Sequence, residues 1–487
     1  MNPESRLFID GELVPAASGR TYANISPVTG EGIGQVADAG TEDMERAIAA
    51  ARRAFDTTDW STNHALRLRC IRQLRDALLD VRDDFKQQIA AETGSPLGIC
   101  GAGGPQCDVP IGFIDYTLET LPKFQWSRDI GVSAFGTLKS RRLVEKEAIG
   151  VVACITPWNV PLQINLAKCI PPLAAGCTVV LKAAPDTPWS ATMLGRLVKE
   201  HTEIPAGVFN VITSEDPREV GDQLVGDPRV DMVSFTGSTA VGKHIMARAS
   251  ATVKKVFLEL GGKSANILLD DADFGSALLS ALGVCFHAGQ GCAIATRLLV
   301  PKSRQAEAEE ILKTYFGYIQ YGNPAAEDQI MGPLINKRQQ ERVLGYIERG
   351  KQEGARLLLG GGRPAQLPRG CYVEPTVFVD VTNDMTIAQE EIFGPVLAVI
   401  AYENEEDAIR IANDSVYGLS GAVWSADEAR ALRVARRIRT GTINVNGGNF
   451  YAADAPFGGY KQSGLGREMG AEGFEEYLET KTIAIRV

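Results

Sequence analysis

At 487 residues the chain is too long for one compact core, so two or three domains are expected. Apolar residues make up 45% and charged residues 23%, the balance of a soluble globular protein rather than a disordered one. A net charge of −10 without a basic patch excludes nucleic acid as the main partner.

In chain order, Leu7-Phe-Ile-Asp-Gly-Glu-Leu-Val14 predicts a short hairpin with Asp10-Gly11 at its turn. Thr41, read as a capping residue ahead of Glu42 and Asp43, opens an amphipathic helix marked by Met44, Ala47, Ile48, Ala51 and Phe55. A second, longer helix carries Ile71, Leu74, Leu78, Val81, Phe85 and Ile89 and is stopped by Gly94 and Pro96. None of these stretches carries chemistry.

Beyond Gly150, short apolar runs alternate with helical patterns. Val151–Ile155, Thr178–Leu181, Val208–Ile212, Met232–Phe235 and Val256–Leu258 predict buried parallel strands of a doubly wound sheet. Such sheets bind ligands beyond the carboxyl ends of their strands. Polar or glycine-rich groups fall there: Pro157-Trp-Asn159, Lys182, Gly237-Ser-Thr-Ala-Val-Gly242 and Glu259-Leu-Gly-Gly-Lys263. Each has a bland reading. Gly237 to Gly242 opens a helix carrying Val241, Ile245 and Met246, whose free amides suit a pyrophosphate, although glycine turns before helices are common. Lys182 alone is more often solvated, Asn159 is more often a cap than an oxyanion donor, and Glu259 is more often a surface residue than a general base.

From Ala281 to Arg297 the chain reads Ala-Leu-Gly-Val-Cys-Phe-His-Ala-Gly-Gln-Gly-Cys-Ala-Ile-Ala-Thr-Arg. Leu278, Leu282, Cys285 and Phe286 predict a buried helix ending at Gly289, after which Gly-Gln-Gly delivers Cys292 with little side-chain bulk around it. That setting suits a thiol that a substrate carbon must reach. Taken alone, a small buried cysteine is the commoner explanation. The nine cysteines are scattered without a Cys-x-x-Cys pair, and the four histidines form no pair on a helix face, so neither a disulfide framework nor a metal site is expected. No apolar run approaches the ~20 residues of a membrane span. The N-terminal Met-Asn-Pro-Glu-Ser-Arg lacks a signal-peptide pattern, which predicts a cytoplasmic protein.

Together these stretches resemble the aldehyde dehydrogenase superfamily across essentially the whole chain. Phe257-Leu-Glu259-Leu-Gly-Gly-Lys263 and Gly289-Gln-Gly-Cys292 are similar to the family's two active-site signatures. Pro157-Trp-Asn159, Phe235-Thr-Gly-Ser238, Glu391-Ile-Phe-Gly-Pro395 and Pro456-Phe-Gly-Gly-Tyr-Lys-Gln-Ser-Gly464 complete the pattern. The resemblance implies an α/β fold with two doubly wound parallel-sheet domains and a small bridging β-element. A dinucleotide-binding domain would take residues 1–123 and 148–260, a catalytic thiol domain 261–465, and the bridging element 124–147 with 466–487, its strands drawn from Phe124 to Glu147 and Thr480 to Val487. Since such strands join sheets between subunits, a homodimer or homotetramer is expected.

The same resemblance assigns roles. Cys292 attacks an aldehyde carbon, Asn159 and the Cys292 amide hold the oxyanion, hydride passes to a nicotinamide, and Glu259 activates water to hydrolyse the thioester. Lys168 and Glu468 match positions that relay protons near the base. Cofactor contacts fall on Ile155, Thr156, Pro157, Trp158, Lys182, Ala184, Pro185, Gly221, Phe235, Thr236, Gly237, Ser238, Val241, Gly242, Leu260, Gly261, Gln339, Glu391 and Phe393. Aldehyde contacts fall on Val160, Gln163, Ile164, Ala167, Gly291, Ala293, Phe450, Tyr451 and Phe457. With small Val160 and Ala167 where many relatives are bulky, the pocket is expected to be roomy and to prefer aromatic, terpenoid or medium-chain aldehydes.

Departures from the pattern carry expectations of their own. Gly291 and Ala293 flank the nucleophile, which excludes a vicinal disulfide there. Ser214-Glu-Asp-Pro-Arg218 replaces a glycine-rich loop. Pro185 stands where NAD-specific relatives carry a glutamate, so NAD is expected as cofactor with NADP tolerated. Three rivals remain. A CoA-acylating semialdehyde dehydrogenase generally lacks the glutamate base, a silent structural member would have lost part of the constellation, and a cysteine peptidase needs a histidine partner that His287 does not obviously provide.

Overall fold

The computed structural model of the chain describes residues 3–100, 104–326 and 329–487. Met1 and Asn2, which head the N-terminal stretch read above, lie outside them.

One sheet has eight strands in the order Gly464–Leu465, Lys255–Glu259, Met232–Thr236, Val151–Ile155, Thr178–Lys182, Phe209–Ile212, Leu7–Ile9 and Glu12–Val14. The five middle strands are parallel and the edges antiparallel. Because side chains alternate along a strand, Val152 and Cys154 join one core with Ile71, Leu166 and Leu194, while Val151 and Ala153 join another with Met44, Val220 and Ile245. Helices therefore cover both faces, which explains why these strands are apolar throughout rather than alternating. Register pairs Ile155 with Lys182, Phe235 with Ile155, and Thr236 with Glu259. Ile155, Lys182 and Phe235 thus share one face of the sheet, while Thr236 and Glu259, one residue further on, turn to the other.

A second sheet has seven strands, Arg356–Leu359, Thr376–Val379, Val396–Tyr402, Arg297–Pro301, Ala265–Leu268, Gly421–Trp424 and Asn444–Val445. All its pairings are parallel except that of Arg356–Leu359 with Thr376–Val379. A three-stranded antiparallel sheet joins Ser127–Phe135, Leu138–Ala148 and Leu478–Arg486, with Phe135, Leu138, Ile483 and Ile485 exposed. The fold class expected from the sequence is the one observed.

Three local readings change. The hairpin turn holds, with Asp10 at φ 55° and Gly11 at φ 81°, the left-handed pair a two-residue connection needs. Thr41 is the first helical residue rather than the cap; Gly40 caps, and the Asp43 carboxylate accepts its amide at 3.1 Å. The single long helix is two, His64–Asp80 and Arg82–Thr93, broken at Val81 and ended by left-handed Gly94. Apolar spacing runs through the break because both helices pack on the same core. Lys182 and Glu259 are the last residues of their strands rather than the first beyond them.

Candidate active site

The segment that carries the nucleophile is held by tertiary contacts rather than by a helix. Regular structure stops at Cys285. Phe286 is extended, and His287 (φ 48°) and Ala288 (φ 52°) are left-handed. The helix expected to reach Gly289 thus ends early, and Phe286, expected inside, is 40% exposed. Two consecutive non-glycine residues in this region cost of order 1–3 kcal/mol each, so the surroundings must impose them. A buried hydrogen-bond chain does so. His287 Nδ1 lies 2.7 Å from Ser95 Oγ, and Gln106 Nε2 donates to Ser95 Oγ and to the Asn159 carbonyl, both at 3.0 Å. Gln290 Nε2 donates to the His287 carbonyl at 3.1 Å. Burial pushes the His287 imidazole down to about 4, which keeps it neutral. At Gly289 a Cβ would meet the Gly394 carbonyl oxygen at 2.1 Å, so only glycine fits there.

Cys292 follows, half-buried, with its carbonyl oxygen 2.5 Å from where a Cβ on Gly262 would sit. Burial, then Glu259 and Glu391, hold its thiol above the ordinary cysteine value, so it is protonated in the free protein. Asn159 Nδ2 donates to the Gln290 carbonyl at 3.0 Å, which sets that amide beside the nucleophile loop. Glu259 is 2% exposed, and neither carboxylate oxygen has a hydrogen-bond partner among the described residues. Burial first, then Glu468, raises its pKa well above the carboxylate range, while Lys168 and Arg467 oppose the rise. Lys168 Nζ sits 3.2 Å from Glu468 Oε1, 3.4 Å from Ser234 Oγ and 4.5 Å above the Phe257 ring. An orphaned carboxyl beside a thiol and backed by an ion pair is suited to taking a proton from water.

The crevice at the strand ends holds polar groups with hydrogen-bonding capacity to spare. Lys182 is buried and, among the described residues, donates only to the Ala183 carbonyl, at 3.3 Å, and burial lowers it to about 8. A Cβ at Gly221 would come 3.7 Å from the lysine stem. Thr156 and Thr236 have buried hydroxyls without partners among the described residues. Ser238 caps the helix Thr239–Ala249, and Val241 on its first turn is 45% exposed. Gly242 packs on Leu260, where a Cβ would come within 2.7 Å of the leucine, and Gly237 folds against the Phe235 ring. Across the crevice, Glu391 Oε1 accepts the Gly262 amide at 2.9 Å, and a Cβ on Gly261 would strike its other oxygen at 2.4 Å. Phe393, at φ 61°, meets Trp158 edge-on at 5.5 Å. Gln339 spends its amide hydrogens on the Ile392 and Phe393 carbonyls, so it shapes this loop from behind. A lysine with spare donors, two free hydroxyls and an open helix N-terminus fit the hydroxyl and phosphate groups of a dinucleotide.

A cavity of about 460 Å³ is walled by Phe113, Leu166, Ala167, Ile170, Met469 and Phe474, with Tyr116, Thr120, Lys123 and Glu475 also at its wall; Cys292, Phe450, Tyr451 and Phe457 do not line it. Gln163 also lines it, whereas Val160 and Ile164 do not. Phe450 stacks on Phe457 at 6.0 Å, and Tyr451 meets Phe457 edge-on at 5.9 Å. Gly291 and Ala293 are partly exposed on either side of Cys292.

The sequence matches the model of the aldehyde dehydrogenase family over residues 13–483. The putative aldehyde dehydrogenase DhaS of Bacillus subtilis is 40% identical, covering 99% of this chain and 96% of the relative. The chain belongs to the aldehyde dehydrogenase family. Among solved structures, betaine aldehyde dehydrogenase of Staphylococcus aureus, in complex with NAD+ and with a BME-modified cysteine, is 39% identical. It superposes with a TM-score of 0.95, covering 99% of this chain and 98% of that one. A cysteine-to-alanine mutant of aldehyde dehydrogenase C from Pseudomonas syringae, complexed with NAD+ and octanal, is 40% identical with a TM-score of 0.92, covering 99% and 96%.

In this dehydrogenase some groups at the site escaped the sequence reading. Ser95 and Gln106 lie far from any motif, and His287 drew notice only as a poor candidate for a peptidase. Phe113 and Met469 line the cavity without any local signal beyond ordinary apolar spacing.

Proposed function

We propose that this dehydrogenase oxidises a neutral aldehyde of medium chain length, or one with an aromatic or terpenoid body, to its carboxylic acid with NAD. One observation carries the reading: a buried, unpartnered Glu259 carboxyl acts on the Cys292 thiol, while Asn159 is tied to the same loop. Cys292 gives its thiol proton to solvent and reacts as the thiolate, its sulfur bonding to the aldehyde carbon while the carbonyl electron pair moves to oxygen. Asn159 Nδ2 and the Cys292 amide donate to that oxyanion. NAD, when bound, supplies the acceptor for the hydride that leaves this carbon, which turns the adduct into a thioester. Glu259 then takes a proton from water as its oxygen adds to the thioester carbon, and the sulfur departs. Lys168 and Glu468 behind the base carry the proton onward.

For the cofactor, Lys182 and the first turn at Ser238 would hold the ribose and the pyrophosphate, and Glu391 with Phe393 the nicotinamide side. The spare hydroxyls of Thr156 and Thr236 support this placement. For the aldehyde, the cavity's apolar walls favour a neutral chain, and Glu475, a carboxylate at its edge, is engaged by Lys146 at 2.9 Å. We assign residues 1–123 and 148–260 to cofactor binding, 261–465 to the thiol domain, and 124–147 with 466–487 to a bridging element. Its exposed apolar strands suit a homodimer or homotetramer, in a cytoplasmic protein.

The test is NADH absorbance with NAD and a panel of acetaldehyde, octanal, benzaldehyde, citral and betaine aldehyde, with and without CoA. CoA-independent NADH formation, strongest with octanal, benzaldehyde or citral, is expected. Dependence on CoA would favour the acylating alternative. Preference for betaine aldehyde would overturn the neutral-chain reading.

A further inference from the structure

The loop that carries Glu391 is held from behind by one helix. That helix, Lys337–Gln352, is capped by Asn336, whose Oδ1 accepts the Gln339 amide at 2.9 Å. Spacings of three and four residues put Gln339, Arg342 and Tyr346 on one side of it. Each of these side chains reaches the loop. Gln339 donates to the Ile392 and Phe393 carbonyls, Arg342 Nη2 to the Glu391 carbonyl at 2.6 Å, and the Tyr346 hydroxyl to Glu390 Oε2 at 2.6 Å. The Arg342 guanidinium lies 5.1 Å from the centre of the Tyr346 ring, so the two side chains brace each other. The helix also sits tight on the loop, since a Cβ on Gly394 would meet Val343 at 2.5 Å.

The same helix is tied to the rest of the site. Just before it, the Ile335 amide donates to Gln290 Oε1 at 2.9 Å, on the segment that carries Cys292. Asn336 Nδ2 donates to Asp186 Oδ1 at 2.9 Å, close in sequence to Lys182. One short element thus joins the thiol segment, the Lys182 side of the crevice and the loop of Glu391 and Phe393. Of the helix side chains, Arg342 is the one bonded to Glu391 itself. Phe393, two residues on, is left-handed at φ 61°, a conformation that a non-glycine residue keeps only when its surroundings impose it. Arg342 also acts on the Glu391 carboxyl, where burial raises the pKa and the Gly262 amide, Arg342 and Lys263 oppose the rise.

We propose that Arg342 is a positioning residue for hydride transfer: by holding the Glu391 backbone carbonyl, it sets Glu391 and Phe393 where the nicotinamide ribose and ring must lie. This rests on the cofactor placement proposed above and names the group that holds that end of the site still. Hydride passes only over a short, aligned distance, so a loosened loop slows that step far more than it weakens aldehyde binding.

The experiment follows NADH in the first turnover after rapid mixing with NAD and octanal, for the unmodified protein, Arg342→Met, Arg342→Lys and Glu391→Ala. Octanal carrying deuterium at carbon 1 reports the hydride step. Arg342→Met is expected to slow the first turnover about tenfold or more, to enlarge its isotope effect and to raise KM for NAD, with KM for octanal unchanged. Arg342→Lys keeps a cationic donor and should recover most of the rate. Arg342 is exposed, so these replacements leave the core intact. A merely structural role would give the same isotope effect and shift both KM values together, and that result overturns the proposal. So does an Arg342→Lys protein no faster than Arg342→Met. A slowed first turnover in Glu391→Ala with none in Arg342→Met overturns this proposal alone. An unmoved first turnover and KM for NAD in Glu391→Ala overturns the cofactor placement and this proposal together.

Discussion

Asn159 donates its side-chain amide to the carbonyl of Gln290, two residues before the nucleophile, at 3.0 Å. The Asn159 amide is therefore tied to the loop that carries Cys292. Gln106 fixes the Asn159 carbonyl from behind and shares Ser95 with His287, so the chain of contacts runs back into the left-handed turn.

Removing the donor should cost more than removing its support. Asn159→Ala is expected to lower kcat roughly 10²- to 10³-fold, the usual effect of losing one oxyanion donor. Ser95→Ala leaves the His287 ring unpaired in its buried site and should destabilise the protein by about 1–3 kcal/mol, read as a lower denaturant midpoint. Because burial holds His287 near 4, its imidazole should contribute no limb near the ordinary imidazole value to the pH profile of kcat/KM.

The base should titrate late. Burial and Glu468 raise Glu259, so its carboxylate form, and with it thioester hydrolysis, appears only as pH rises above the ordinary carboxylate range. Glu468→Gln removes a negative charge facing the base and frees Lys168, both of which lower the Glu259 pKa. The limb should move to lower pH. Lys168→Met removes the opposing positive charge, and the limb should move up. An unmoved limb in both variants would show that the base titrates independently of this pair.

Cavity size can be read from chain-length preference. Ala167 lines the cavity, and a tryptophan there fills part of its ~460 Å³. The ratio of kcat/KM for octanal to that for propanal should fall at least tenfold in Ala167→Trp, since each buried methylene contributes about 0.8 kcal/mol. An unchanged ratio places the alkyl chain elsewhere.

Much of this site is legible in sequence because its requirements are local. Strand ends at Ile155, Lys182, Thr236 and Glu259 follow from short apolar runs that must be buried on both faces, and the glycines at 237, 261, 262 and 289 mark close approach of backbone to neighbours. What stays hidden is set by partners far away in the chain. The His287 turn depends on Ser95, 192 residues distant, and the pairing of Gln163 with Tyr451 crosses 288. The break at Val81 is hidden for a different reason: apolar spacing reports which face is buried, and that face is continuous across the kink.

On the proposed placement of the cofactor, Pro185 is expected to set the preference between NAD and NADP. It offers neither a hydrogen bond to ribose hydroxyls nor a charge against a 2′-phosphate, and its neighbour Asp186 is engaged by Asn336 at 2.9 Å. Losing a charged hydrogen bond of this kind removes roughly 1.5 to 3 kcal/mol of preference for NAD. NAD should remain the better cofactor with measurable NADP turnover, and Pro185→Glu should sharpen the preference. No NADP turnover in the unmodified protein would assign discrimination to another group, such as Asp216, which acts electrostatically on Lys182.

The division of labour between Cys292 and Glu259 is tested most directly by rapid mixing of Glu259→Gln with NAD and octanal. Thioester formation does not need the base, whereas its hydrolysis does, with loss of the base costing roughly a hundredfold or more. The account predicts a burst of NADH stoichiometric with Cys292, followed by a stalled steady state. A wild-type steady state, or loss of the burst along with it, would contradict the account.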